Sequence, residues 1–213
     1  MLSAQIVNPN YYDHLFYTCK VWGFLKYFHP CVSTGQHENW DHVAMSFCED
    51  LQHIKTDSAF QNRLIAMLDS AGKVAHETSP PPELVDSLSY NLNLNWFHDN
   101  KISDSLKGRL DSIFINFRPH DIYFVDEAFE DGNPTFDTDA QYYQWGSQLY
   151  PDMSIRFLAL CRYWNMINYF YPYKNILDQN WDSTLVEFIP KFINAQDGND
   201  FHLAMLELAT RLN

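Results

Sequence analysis

The sequence predicts a mainly α protein in which a three-helix motif occurs twice, and two observations carry that reading. Apolar residues recur at three- and four-residue spacing between recognisable helix caps and stops. The segment at 19–41 also returns at 161–182. With an offset of 142, Cys19 matches Cys161, Trp22 matches Trp164, Tyr27 matches Tyr169, Phe28 matches Phe170 and Pro30 matches Pro172. After a one-residue gap, Asn39, Trp40 and Asp41 fall on Asn180, Trp181 and Asp182, giving eight identities in about 22 positions, mostly of rare residue types. The similarity weakens downstream, where Phe47 meets Phe188 and Phe60 meets Phe201. The period is far too long for a solenoid of roughly 20–50-residue repeats. It reads as two units, 1–72 and 151–213, separated by a connector at 73–150 and packed as one helical bundle.

In the first unit, Leu15, Phe16, Cys19, Trp22, Leu25 and Phe28 define an amphipathic helix that must end before Pro30, because the residue preceding proline is driven out of the α region. Asn39 is expected to cap a second helix that opens with Trp40 and Asp41, the carboxylate suiting the positive end of the dipole. Thr56 or Asp57 caps a third through Phe60, Leu64, Met67 and Leu68, and Gly72 stops it. The connector is rich in Asn and carries Pro80, Pro81 and Pro82, which argues for loop over 73–100. One helix stands out in it, capped by Ser103, with Leu106, Leu110, Ile113, Phe114 and Phe117 on one face and Pro119 as its stop. A short strand or hairpin at 122–125 and an acidic loop at 126–139 are expected next. The second unit repeats the first, with Asn180 as the cap of its second helix and a third helix from about Asn199 onward.

Composition excludes several classes. Lys and Arg number 14 against 27 Asp and Glu, a net charge of −13, so the chain has no basic face with which to displace phosphate counterions, and nucleic acid is not an expected partner. Every apolar run is broken within about eight positions, well short of the 18–20 that a bilayer span requires. The opening MLSAQIVNPN lacks both parts of an intact signal peptide. Cys19, Cys31, Cys48 and Cys161 form no CxxC or CxxH pair and read as small buried hydrophobes, with their disulfide status open.

Recognised catalytic constellations are missing too. No HExxH, GxSxG or glycine-rich phosphate loop occurs, and only seven glycines are present to build one. His37 and His42 read as ordinary histidines and not metal ligands. Asp126, Glu127, Glu130, Asp131, Asp137 and Asp139 read as a solvated loop whose spacing does not fit an EF-hand. The motif aromatics Trp22, Tyr27, Phe28, Trp40, Trp164, Tyr169, Phe170 and Trp181 have helical spacing and are expected in the core, although the same rings could line a peptide or glycan groove. His29 and Tyr171, just before each proline, are the motif residues most expected at the surface. No catalytic, cofactor-binding or metal-binding residue is assigned.

The segments VWGFLKYFHP with NWD, and YPDMSIRFLALCRYWNMINYFYPYKNILDQNWD, resemble the helical region preceding the catalytic part in certain bacterial members of serine peptidase family 41, the tricorn-like and C-terminal-processing peptidases. The resemblance runs from about Tyr17 to Asn213 and is most specific in the second copy. It implies an exported, periplasmic or extracellular parent whose protease core follows this chain. The chain itself is then expected to be a truncated, non-catalytic accessory domain that packs on that core and shapes substrate access. Alternatives from the residues themselves are a peptide- or glycan-binding helical module, and a structural or dimerisation scaffold.

Overall fold

A computed structural model describes residues 10–37, 39–75, 92–118, 122–126, 134–136 and 150–212. Among these it is mainly helical, without a strand. The first copy contains α1 (Tyr11–Phe28), α2 (Pro30–Ser33), α3 (Trp40–Asp50) and α4 (Asp57–Ser70); α5 (Asp104–Asn116) belongs to the connector; the second copy contains α6 (Met153–Phe170), α7 (Trp181–Asn194) and α8 (Gly198–Ala209). Short 3-10 turns lie at Asn95–His98, Lys174–Ile176 and Thr210–Leu212. No helix among the described residues is long and apolar enough to cross a membrane.

The duplication is physical as well as textual. Four contacts join a residue of α1 to its own duplicate 142 positions later. Tyr11 Oη lies 3.8 Å from Met153 Sδ, the Cys19 and Cys161 thiols hydrogen-bond, and the Tyr27 and Tyr169 rings pack with centroids 5.8 Å apart. Gly23 faces Asn165 so closely that a Cβ on the glycine would fall 2.0 Å from the carboxamide. Contacts of this kind along the whole length require α1 and α6 to lie side by side and parallel, with a pseudo-twofold axis running along their seam. The side chain that Gly23 lacks is the space Asn165 occupies. From there Asn165 Nδ2 donates to the carbonyls of Cys161 at 2.9 Å and Cys19 at 3.1 Å, one from each helix.

The second helix of each copy packs on both members of the central pair, α3 against α1 and α6, α7 against α6 and α1. Two tryptophan pairs fix these crossings. Trp22 Nε1 donates to the Trp40 carbonyl at 3.1 Å while Trp40 Nε1 donates to the Trp22 carbonyl at 3.2 Å; Trp164 and Trp181 repeat the exchange at 2.8 and 3.0 Å. A buried indole needs an acceptor. Here each copy solves the problem with its own partner ring.

The motif aromatics are core: Trp22, Tyr27, Phe28, Trp40, Trp164, Tyr169 and Trp181 are all buried, and Phe170 is half-buried. Almost every residue of α1 from His14 onward is inaccessible, which explains why this helix is apolar around most of its circumference. Buried Arg156 closes the far end of α7, its guanidinium donating to the carbonyls of Phe192 at 2.8 Å and Ile193 at 3.0 Å where the helix leaves them open.

Several local expectations need correction. Asn39 adopts a left-handed conformation, φ +64°, and makes no side-chain cap, whereas Asn180 accepts from the amides of Asp182 and Ser183 as expected. Thr56, not Asp57, caps α4 by accepting from Ala59 N. Gly72, at φ +99°, ends it as anticipated. The strand at 122–125 is instead a turn closed by Val125 N to Ile122 O at 3.0 Å, and Asp126 then pairs with Thr135 through two backbone bonds. His29 is buried, because α2 turns the chain back beside it and Cys31 N donates to His29 Nδ1 at 3.3 Å. Tyr171 is half-buried, and so is Cys31, unlike the other three cysteines; all four are free thiols. Pro80 to Pro82, Pro119, Glu127, Glu130, Asp131, Asp137 and Asp139 lie outside the described residues.

Candidate functional site

In each copy a loop joins the first helix to the second and ends on Trp–Asp. The reciprocal indole bonds hold that tryptophan, so the next residue is delivered to one fixed place beside the opposite copy. Asp41 thereby meets the Arg162 guanidinium, and Asp182 receives Lys20 Nζ at 2.8 and 2.9 Å. Lys20 and Arg162 are themselves duplicates, as are the two aspartates. The pairing is isologous, as in a twofold dimer.

The two ion pairs nevertheless have different surroundings. Asp41 is buried and takes a second cation, Lys26, whose Nζ is 3.2 Å away with no exposed side-chain surface. Burial raises the Asp41 pKa, but Lys26 and Arg162 outweigh it and hold the carboxyl below its usual value. The Asp182 side chain remains 40% exposed. Burial lowers the pKa of Lys20 despite the attraction of Asp182, and its ammonium also lies 5.4 Å from the Trp96 ring and 5.6 Å from that of Trp164.

A cleft lies beside each aspartate. The first, about 210 Å³, is bounded by Gly35, His37, Trp40, Asp41, Tyr123 and Phe124. The connector enters this cleft. Tyr123 N donates to Ser33 O at 2.8 Å, and the Tyr123 ring lies over Gly35, where a Cβ would approach to 2.5 Å. Phe124 stacks under Lys26, whose ammonium is 4.4 Å from the ring centre. Gly35 has φ +74°, so both its conformation and this close approach require glycine.

No such plug enters the second cleft. It measures about 300 Å³ and is lined by Lys20, Asn93, Asn168, Lys174, Asn175, Leu177, Asp178, Gln179, Asn180, Trp181 and Asp182. A neighbouring hollow of about 310 Å³, bounded by Asn93, Asn95, Trp96, His98, Asp99 and Asp182, shares two of these residues and extends it into a trough. Asn168 stands where the first copy has Lys26. A different lysine, Lys174, supplies the cation, donating to Asn168 O at 2.5 Å and Oδ1 at 3.0 Å. Burial, aided by repulsion from Lys20 and opposed by Asp182, brings the Lys174 pKa down to about 8.

The polar groups of the trough are carboxamides, the carboxylates of Asp99, Asp178 and Asp182, the ammonium groups of Lys20 and Lys174, and His98. Among the described residues no group of three or more His, Cys, Asp or Glu could hold a metal ion. His37 contacts Ser70 O through Nε2 at 3.0 Å and packs edge-on against Trp40; His42 is exposed. The sequence singled out Asn180, Trp181 and Asp182 of this trough, as motif and capping residues only. It did not single out the other carboxamides or Lys20, because a lysine inside an amphipathic helix and scattered asparagines carry no local signal of convergence.

The fold and clefts define a duplicated pseudo-twofold helical domain whose larger polar cleft lies beside Asp182. Comparison with family models, curated proteins and solved structures finds no match to the chain.

Proposed function

We propose that the chain is the non-catalytic N-terminal helical region of an exported serine peptidase, packing on the protease core of the same polypeptide and shaping the access of an unfolded or C-terminal peptide. The resemblance of 150–182 to the helical region of serine peptidase family 41 carries this reading. The outer surface of the second copy supports it. Leu203 and Leu206 on α8 are 58% and 65% exposed, and Val186 on α7 is 59% exposed. The matching positions of the first copy, Asn62, Ile65 and Met45, include no exposed large apolar side chain. Exposed aliphatic side chains of this kind suit a docking partner.

The test is peptidase activity on an unfolded protein such as reduced casein, for residues 1–213 alone and for the full gene product containing them. Activity confined to the longer product is expected. Activity in residues 1–213, or a gene product without a peptidase core, overturns the reading. The second reading is a structural scaffold, favoured by the reciprocal packing of the copies, which accounts for the duplication without any ligand. Groove binding through the motif aromatics loses its support, since those rings are spent on the core.

A further inference from the structure

We propose that the trough beside Asp182 binds a neutral saccharide. The inference is independent of the peptidase reading and rests on an asymmetry between two equivalent places. The cleft of the first copy is narrowed to about 210 Å³ by Tyr123 and Phe124, while its duplicate measures about 300 Å³ and continues into a second hollow of about 310 Å³. Together these fall in the size range of small-molecule sites.

The lining narrows the ligand chemistry. A peptide is read through recesses for apolar side chains, and Leu177 is the single aliphatic residue of the larger hollow. A phosphate or other multiply charged anion meets Asp99, Asp178 and Asp182, while the Lys20 ammonium is already engaged at 2.8 Å by Asp182 and that of Lys174 at 3.0 Å by Asn168 Oδ1. What remains abundant is the carboxamide. Asn93, Asn95, Asn168, Asn175, Gln179 and Asn180 all border the trough. The Oδ1 atoms of Asn93, Asn168 and Asn180 are taken by Asn95 N, Lys174 and the first amides of α7, so the trough offers chiefly carboxamide N–H donors beside the carboxylates of Asp99, Asp178 and Asp182, a mixture that suits sugar hydroxyls, which both accept and donate. Trp96 adds an independent observation. It lines the smaller hollow, is only 7% exposed, and its buried indole N–H has no acceptor among the described residues. A buried donor of this kind is uncommon and calls for a partner at this wall of the hollow.

The experiment titrates the chain with cellohexaose, maltohexaose and chitohexaose, followed by calorimetry and by backbone amide shifts, with sodium phosphate and an unstructured twelve-residue peptide as competing probes. Saturable binding of at least one hexaose below about 10 mM is expected, the range of a weak solvent-exposed site. Its shifts should centre on 93–99 and 174–182. Asn175→Ala with Gln179→Ala should weaken it by about tenfold or more, as the loss of two hydrogen bonds implies. Tyr123→Ala, in the narrower cleft, should leave it unchanged. The proposal is overturned if no hexaose saturates, if the shifts lie elsewhere, if a folded double variant binds as tightly as the parent, or if phosphate or the peptide occupies the trough in place of the sugars.

Discussion

The two copies share one skeleton and differ in dressing. Both have a long first helix on the seam, a tryptophan exchange, and an aspartate delivered across the axis. The connector packs mainly on the first copy, although Phe136 meets Phe170 and 93–99 wall the trough beside Asp182 in the second. Its Phe97, Phe114 and Phe117 pack on Phe24 and Phe28, its Lys101 carbonyl takes Gln61 of α4, and its Tyr123 and Phe124 wall the cleft. Leu64 and Leu68 of α4 are consequently buried, while their counterparts Met205 and Ala209 on α8 are half-buried and exposed. The skeleton follows from the motif residues that recur. The asymmetry follows from a single intervening segment whose larger apolar side chains go mainly to the first copy.

The largest expected effect tests the two aspartates against each other. Asp41→Ala removes the carboxylate shared by buried Lys26 and half-buried Arg162 and should cost about 3–5 kcal/mol. Asp182→Ala strands Lys20 alone beside an open trough and should cost less. Urea unfolding of both variants measures the difference, and equal losses would break the comparison.

The seam gives the next effect. Gly23→Ala drives a methyl into Asn165 and should cost about 1–3 kcal/mol. Exchanging the pair, Gly23→Asn with Asn165→Gly, places the carboxamide on the other helix, where the pseudo-twofold offers it the same two cysteine carbonyls. The double variant should recover most of the loss; if it is worse than Gly23→Ala alone, the axis is not a working symmetry.

Trp22→Phe and Trp164→Phe each remove one indole donor from a reciprocal pair and should cost about 1–2 kcal/mol apiece. Similar values in thermal unfolding would show that the exchange is worth the same in both copies.

The smallest effects separate the copies by pH. Burial holds His29 neutral down to about 4, so the unfolded chain binds its proton first and stability falls as pH drops from about 6.5 toward 4. Asp41, held below its usual value, contributes stability above the unfolded carboxylate pKa that is lost at still lower pH. Lys174 has the opposite window. Its folded pKa of about 8 lies below that of the unfolded chain, so stability rises with pH from about 8 toward the ordinary lysine value of 10.5. His29→Gln should flatten the acid limb and Lys174→Met the alkaline one, each leaving the other limb in place.

The helices were legible because capping and spacing are local. Thr56 and Ser103 mark their caps directly, and the match of 19–41 to 161–182 predicted two equivalent units. Where the reading failed, distant residues decide. Asn39 has the right chemistry for a cap but is turned away by its left-handed backbone, and His29 is covered by a one-turn helix that a proline starts rather than prevents. Lys20, Lys26 and Arg156 look like surface charges in sequence; each is buried because its acceptor comes from another helix. The trough is hardest to foresee, since its walls come from four separate stretches of chain.

The parallel seam also sets a schedule for synthesis. Tyr11 waits for Met153, and the neighbouring seam residues wait just as long for theirs, a separation of 142 positions. At roughly 5–20 residues per second, a ribosome leaves the apolar face of α1 without its partner for about 7–30 s. Helices form in microseconds, so α1 exists long before it is covered. During that interval a nascent chain carrying one copy presents the same self-complementary surface to its neighbours on a polysome. Co-translational association between chains, relieved only when the second copy emerges, is the hazard this architecture carries.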